Sequence, residues 1–199
     1  MAIQYETNKM TVMMSNDSVI DECVAVATSA MGSNDTSWPD LWRDVYRDMF
    51  DLSVVLARDD AASDKLVGMF GFGDVSQYPL LSMTKSAEYL SDKEKRGIND
   101  SWVSTISNAI TAKGIDLAKV DAASAIYVHA DYTGQSIATT MMGKRASYQI
   151  ARGITHAISF AYESTDIKNW SSTRTSAEAL GVDGDNNQVY LFDLSELAL

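Results

Sequence analysis

The sequence predicts an α/β domain with a mixed sheet, and three observations carry that expectation. Short apolar runs rich in β-branched and aromatic residues alternate with longer segments in which apolar residues recur at helical spacing. The stretch AIYVHADYTGQSIATTMMGKR, residues 125–145, joins one such run to one such segment through a tight turn holding a single glycine. Glycine, asparagine and aspartate punctuate most other junctions. The expected order is β-α-α-β-β-(α-α)-β-α-β-α-β within a single domain over residues 1–199.

Taken in order, residues 10–14 read as the first strand and Asn16, Asp17 and Ser18 as turn or capping residues. A helix follows over about 19–31, free of proline and stopped by Gly32-Ser33-Asn34-Asp35. Trp38-Pro39 opens a shorter helix carrying Leu41, Trp42, Val45, Tyr46 and Met49-Phe50. Residues 52–57 and 66–72 form a hairpin across the polar turn 58–64, in which Gly68 and Gly71 mark a bulge or a close neighbour. Residues 74–115 are a long helical connection, charge-rich over 88–96, helical in period over 98–112 and stopped at Gly114. The central strand is 124–130, followed by a helix over 137–151, a break at Gly153 and a strand over 154–160. A polar loop from Ser164 runs into a final helix ending at Leu180-Gly181, and residues 188–194 close the sheet.

Composition narrows the partners. Asp and Glu number 27 against 16 Lys plus Arg, a formal charge of -11, and no basic block repays repulsion from phosphates, which argues against nucleic acid. The same balance suits a small cationic substrate. Cys23 is the only cysteine, so no internal disulfide forms, and its apolar phase reads as a buried small hydrophobe rather than a nucleophile. His129 and His156 are the only histidines and no metal-ligand spacing is present, so no metal site is expected. No membrane span or signal core is read, and the expected location is cytoplasmic. A homodimer is compatible with the sequence.

The turn after the central strand is the candidate site. The N–H groups of Thr133 to Ala138 surround a helix start, whose first donors have no partner in the helix. Gly134 permits a left-handed conformation and Ser136 offers a hydroxyl cap. A pyrophosphate here would meet several amides and the positive end of the helix dipole. The same residues also fit an ordinary strand-to-helix turn with a serine cap. Neither G-x-x-x-x-G-K-[ST] nor G-x-G-x-x-G occurs, which removes the usual ATPase and dinucleotide readings.

The run Val128-His129-Ala130-Asp131-Tyr132-Thr133-Gly134-Gln135-Ser136-Ile137-Ala138-Thr139-Thr140-Met141-Met142 resembles the acyl-coenzyme A signature of the GNAT superfamily of N-acetyltransferases, approximately V-x-P-x-Y-R-G-x-G-I-A-x-x-L-L. Thr133 stands where that signature has a basic residue or glutamine, and Ser136 where it has glycine. Ser176-Ala177-Glu178-Ala179-Leu180-Gly181-Val182 resembles the family's closing x-Y-E-K-L-G-F, with Ala177 in place of the tyrosine. Lacking that tyrosine, the chain is similar to the divergent arylalkylamine N-acetyltransferase-like branch. The resemblance implies a GNAT-like, centrally splayed mixed sheet flanked by helices, with a helical insertion before the central strand.

It also implies a chemistry. Acetyl-coenzyme A is the cosubstrate, its pantothenate arm meeting the backbone of Ile126 and Val128 and its pyrophosphate held by Thr133, Gly134, Gln135, Ser136, Ile137 and Ala138. Lys144 and Arg145 are read as solvated, with the phosphate rim as the alternative. The acceptor is a small primary amine, attacking directly in a ternary complex. Candidates for the proton acceptor are Glu163 and His129, with Asp131 and Glu22 behind them, and Tyr162 and Thr173 are candidates to hydrogen-bond the leaving sulfur. Trp38, Trp42, Tyr46, Phe70 and Phe72 offer an apolar acceptor wall or an ordinary core. The alternative reading is a GNAT-fold acyl-coenzyme A-binding or regulatory protein with weak or no catalysis.

Overall fold

The chain enters its sheet through Ile3–Lys9 (β1), not through residues 10–14 as the sequence predicts. In β1 half-buried residues alternate with exposed ones, the period of a strand with one wet face. Met10 and Met14 are both fully buried, and their spacing of four is helical, not extended. Met10–Met13 accordingly forms a one-turn helix (α1). The computed structural model describes residues 2–32, 52–75, 100–161, 173–182 and 188–198. Its residues gather in two compact units: Met1–Gly73, Ser124–Tyr148 and Leu197–Leu199 in the first, Asp74–Ala123 and Gln149–Glu196 in the second.

In the first unit, Asp17–Met31 (α2) starts at Asn16, whose side chain accepts from the Ser18 N–H at 3.0 Å. It stops at Gly32, left-handed at φ 66°. Ile20, Cys23, Val26 and Ala27 form its buried stripe. Ser53–Asp59 (β2) pairs antiparallel with β1 and with Lys65–Asp74 (β3). Ala57 lies opposite Gly68 but Arg58 opposite Leu66, so Val67 is an extra residue in β3 and a bulge forms. The freed Val67 carbonyl accepts from the His129 N–H at 2.9 Å. Gly68 also has the expected close neighbour, since a Cβ there would lie 3.1 Å from Ile137 Cγ2 and from Met141 Cε.

Those two side chains belong to Ile137–Ala151 (α4, numbered after the helix α3 below), whose bounds are those the sequence predicts. Ile137, Met141 and Arg145, each four residues apart, are all buried. Arg145 is therefore neither solvated nor on a phosphate rim. Its guanidinium lies 5.1 Å from the centre of the Phe70 ring, a contact worth about 0.5–2 kcal/mol. Phe70 and Phe72 are core residues, with ring centroids 6.0 Å apart.

In the second unit, Asp100–Ala112 (α3) buries Ile106 and Ile110, and Gly114, at φ 74°, ends the turn after it. Val120–Val128 (β4) begins four residues before the predicted start because Val120 and Ala122 are wholly buried and pair with the next strand. His156–Ala161 (β5) runs parallel to β4, and among the described residues Val120, Asp121 and Ala122 pair with His156, Ala157 and Ile158. Gln188–Asp193 (β7) is antiparallel to both β5 and Glu178–Val182 (β6). Residues 178–180 are thus strand and not the end of a helix. Glu, Ala and Leu favour helix locally, and ladder pairing overrides that weak preference. Gly181, at φ 133°, sits at the register shift in β6. Asp121 and Gln149 are fully buried, and Gln149 Nε2 donates to Asp121 Oδ1 at 2.9 Å. Arg152 Nη1 donates in turn to Gln149 Oε1 at 2.9 Å.

The strand order is β1-β2-β3-β4-β5-β7-β6. With β4 and β5 parallel and the pairs β1–β2, β2–β3, β5–β7 and β7–β6 antiparallel, this is a mixed α/β fold with a centrally splayed sheet flanked by helices. The expected helix from Trp38, the charge-rich stretch 88–96 and the loop 162–172 lie outside the described residues. Among the described residues no helix is long and apolar enough to cross a membrane.

Candidate functional site

The turn that the sequence singles out begins where β4 ends. Ala130–Tyr132 winds one 3-10 turn, capped by His129, whose Nδ1 accepts from the Asp131 N–H at 3.3 Å. The Ala130 N–H donates to Ser29 Oγ on α2 at 3.1 Å, and Thr133 Oγ1 donates to the Ala130 carbonyl at 3.0 Å. Thr133, Gly134, Gln135 and Ser136 are all exposed. Gly134 is left-handed at φ 76°, and so is Ser136 at φ 59°. Ser136 starts α4 through its carbonyl, which accepts from both the N–H (2.9 Å) and the Oγ1 (3.0 Å) of Thr140. Among the described residues its own hydroxyl makes no capping bond, which corrects the expectation of a hydroxyl cap. The N–H groups of Gly134 through Thr139 likewise donate to no acceptor among the described residues. Six consecutive amides around a helix start, two of them on left-handed residues, can donate directly to an anion's oxygens.

Two contacts that sequence reasoning missed hold this turn. Tyr132 Oη donates to Asp59 Oδ2 at 2.9 Å, and Asp59, at 4% exposure, also accepts from the Ala61 N–H at 3.0 Å. The bond to Asp59 raises the Tyr132 phenol above its ordinary value, with burial and the Asp59 and Asp131 charges adding to the rise. The Lys65 ammonium lies 5.7 Å from the centre of the Tyr132 ring. The available signal was Asp59-Asp60 at the hairpin end, which reads only as a polar turn without the third dimension.

The proposed catalytic residues fare differently. His129 keeps 18% of its side chain exposed, with Nε2 3.4 Å from Lys65 Nζ and Nδ1 3.6 Å from Asp131 Oδ2. Thr173 lies in an exposed turn before β6, not on a helix. That turn is tied down by Glu196, whose carboxylate accepts from the N–H groups of Thr175 (2.8 Å) and Ser176 (2.7 Å). The Ser176 hydroxyl accepts from the Asp193 N–H at 2.8 Å. Tyr162, Glu163, Trp38, Trp42 and Tyr46 lie outside the described residues. Glu22 is paired with Arg58 at 2.7 Å and lines an open polar cleft of about 730 Å³ with Tyr5, Glu6, Arg58, Asp60 and Asp64. Cys23 is buried as expected; burial first, then the Glu22 charge, push its thiol up to about 12 against a smaller opposing effect of Arg58. Among the described residues no three His, Cys, Asp or Glu side chains converge to hold a metal ion.

No protein-family model and no curated protein sequence matches the chain. Solved structures do. The mosquito arylalkylamine N-acetyltransferase-like 5b matches with a TM-score of 0.58 at 14% identity, over 96% of this chain and 100% of that one. The PaiA N-acetyltransferase of Thermoplasma acidophilum, solved in complex with coenzyme A, matches at 0.54 and 11%, over 97% and 99%. An acetyltransferase of the GNAT family from Staphylococcus aureus Mu50 matches at 0.55 and 11%, over 97% and 99%. The fold is therefore the GNAT-like one, matched along nearly the whole length of each chain.

Proposed function

We propose that this chain transfers an acetyl group from acetyl-coenzyme A to a primary amine by direct attack in a ternary complex. The observation that supports it most is the exposed turn at the start of α4, where the N–H groups from Gly134 onward have no acceptor among the described residues, on a GNAT-like fold. In this reading the pyrophosphate is held by Thr133, Gly134, Gln135, Ser136, Ile137 and Ala138. The pantothenate arm meets the backbone of Ile126 and Val128, which lie beyond the last β4 residue paired to β5. The backbone carries this binding, so the absence of a basic residue at 133 weakens it without abolishing it.

The amine nitrogen attacks the thioester carbonyl; the C–N bond forms, the C–S bond breaks and its electron pair leaves on sulfur. The proton lost by the amine goes to Glu163 or His129, and the thiolate takes a proton or hydrogen bond from Tyr162 or Thr173. No enzyme nucleophile and no metal takes part. A cationic amine, of the arylalkylamine kind or aliphatic, is preferred over an anionic acceptor because the chain carries a formal charge of -11. The setting is cytoplasmic.

A second reading has its own observation. Ala177, where the resembled signature has a tyrosine, offers no acid group, which favours an acyl-coenzyme A-binding protein with weak or no catalysis. Calorimetry with coenzyme A, followed by thiol release from acetyl-coenzyme A across a panel of amines, separates the two. Absence of binding at near-millimolar coenzyme A defeats both. Equal turnover of anionic amino acids and arylalkylamines at low salt defeats the charge preference.

A further inference from the structure

We propose that Asp59 and Tyr132 are a positioning pair that presets the anion-binding turn; this rests on the pyrophosphate reading of that turn. The four residues 133–136 are exposed, and nothing in their own side chains buries them. Their own hydrogen bonds are local, from Thr133 to the Ala130 carbonyl and from Thr140 to the Ser136 carbonyl, and the ties to the rest of the fold lie at the two ends. On the far side, Ile137 is buried at 2% exposure and meets Gly68 of β3. On the near side, the anchor is the Tyr132 hydroxyl on Asp59 at 2.9 Å.

That near anchor is itself built. Asp59 is the last residue of β2 and is buried, its other oxygen closing the Asp60–Ala62 turn through the Ala61 N–H at 3.0 Å. Arg58 Nη1 donates to the Asp64 carbonyl at 2.8 Å, and Ser63 and Asp64 are both left-handed, at φ 58° and 62°. These bonds hold the hairpin end, which offers a buried carboxylate oxygen to Tyr132. The Lys65 ammonium lies 5.7 Å from the centre of the Tyr132 ring, a further weak contact on the same side chain. Neither residue touches the ligand in this account. Tyr132 sets the path of the backbone immediately before Thr133, so the amides already hold their arrangement when an anion arrives, and binding does not have to order them.

The test is Tyr132→Phe in the full chain, which keeps the ring and removes the bond. Coenzyme A affinity measured by calorimetry, well below the unfolding temperature of both proteins, is expected to fall roughly tenfold through lost preorganisation. In turnover the KM for acetyl-coenzyme A rises while kcat at saturation stays. Backbone relaxation of the amides of Gly134, Gln135 and Ser136 is the second readout. Order parameters near the rigid value of about 0.85 in the parent chain should drop below about 0.6 in the variant. Unchanged affinity together with unchanged order parameters overturns the proposal, as does a parent turn that is already mobile. Should the parent chain fail to bind coenzyme A, the pyrophosphate reading falls, and the order parameters alone still decide whether the pair positions the turn. If Tyr132→Phe unfolds, Asp59→Asn is the gentler variant and must loosen the same three amides.

Discussion

Replacing Ser136 separates backbone from side-chain effects at the candidate site. Ser136 is exposed and left-handed at φ 59°, a conformation that costs a non-glycine residue roughly 1–2 kcal/mol. Ser136→Gly removes that strain but gives the unfolded chain more freedom, a counter-effect of about 0.4–1 kcal/mol. The net expectation is a gain of about 0.5–1 kcal/mol, or a midpoint rise of roughly 1–4 °C for a chain of this size. On the proposed reading coenzyme A affinity should stay the same, because the backbone amide at 136 is kept. Ser136→Glu keeps the strain and adds a negative charge. Against each phosphate charge about 5 Å away, repulsion amounts to about 1–3 kcal/mol for effective dielectric constants between about 80 and 20. Calorimetry should then show a Kd at least about fivefold weaker per opposed charge, recovering partly as salt is raised. The assay is coenzyme A titration of the parent and both variants at two ionic strengths, with thermal melts alongside. An unchanged Kd for Ser136→Glu places the pyrophosphate elsewhere. A fall in stability for Ser136→Gly by more than about 1 kcal/mol would show that the left-handed backbone carries no strain.

Three further expectations follow from the packing and the titrating groups. Gln149→Leu removes a donor from the buried Asp121 carboxylate, a loss of about 1.5–3 kcal/mol for a hydrogen bond to a charged group; urea denaturation should show it, and Asp121→Asn in the same background should recover part. Cys23→Ala should leave turnover intact, and the parent thiol should resist alkylation at pH 8 because its pKa is pushed up to about 12 and the group is buried; rapid labelling of the folded chain defeats this. Asp193 is lowered chiefly by its hydrogen bond with Ser195, and Glu196 chiefly by its bond with Ser176. Their stabilisation is complete above the ordinary values of 3.8 and 4.5 and is lost as pH falls through the lowered folded values. Thermal melts between pH 6 and 3 should therefore drop, with a shallower slope in Glu196→Gln.

Periodicity decided well where one face of an element is buried and poorly where pairing partners decide. The helices α2 and α4 were legible because Ile20, Cys23, Val26 and Ala27, like Ile137 and Met141, recur at helical spacing. The β2–β3 hairpin was legible because β2 is buried almost throughout. β1 escaped notice because an edge strand with one wet face alternates Ile, Tyr, Thr and Lys with Gln, Glu and Asn, leaving no apolar run. β6 was misread as helix because its residues prefer helix locally and become strand only through β7. At the site, Gly134 and Ser136 were found from the turn chemistry, but the left-handed angle at Ser136 was not. A serine carries no sign of it, whereas a glycine would have. The Asp59–Tyr132 bond joins residues 73 positions apart, and nothing in a single sequence couples them.

The departures from the acyl-coenzyme A signature become intelligible through the backbone. The signature's glycine position falls on Ser136, and there the chain keeps the left-handed angle a glycine would supply. It does so with a residue that bears the strain, held between a buried Ile137 and an anchored Tyr132. Thr133 replaces a basic or glutamine side chain, but its own N–H is only loosely held, 3.4 Å from the Ala130 carbonyl. What an anion meets at this turn is a sequence of amides, and amides are independent of side-chain identity as long as the dihedral angles are enforced. Enforcement comes from neighbours outside the motif: the bulge at Val67, the gap left by Gly68 and the carboxylate of Asp59. A signature can therefore lose side chains at this turn while the dihedral angles that set its amides are held by residues outside it.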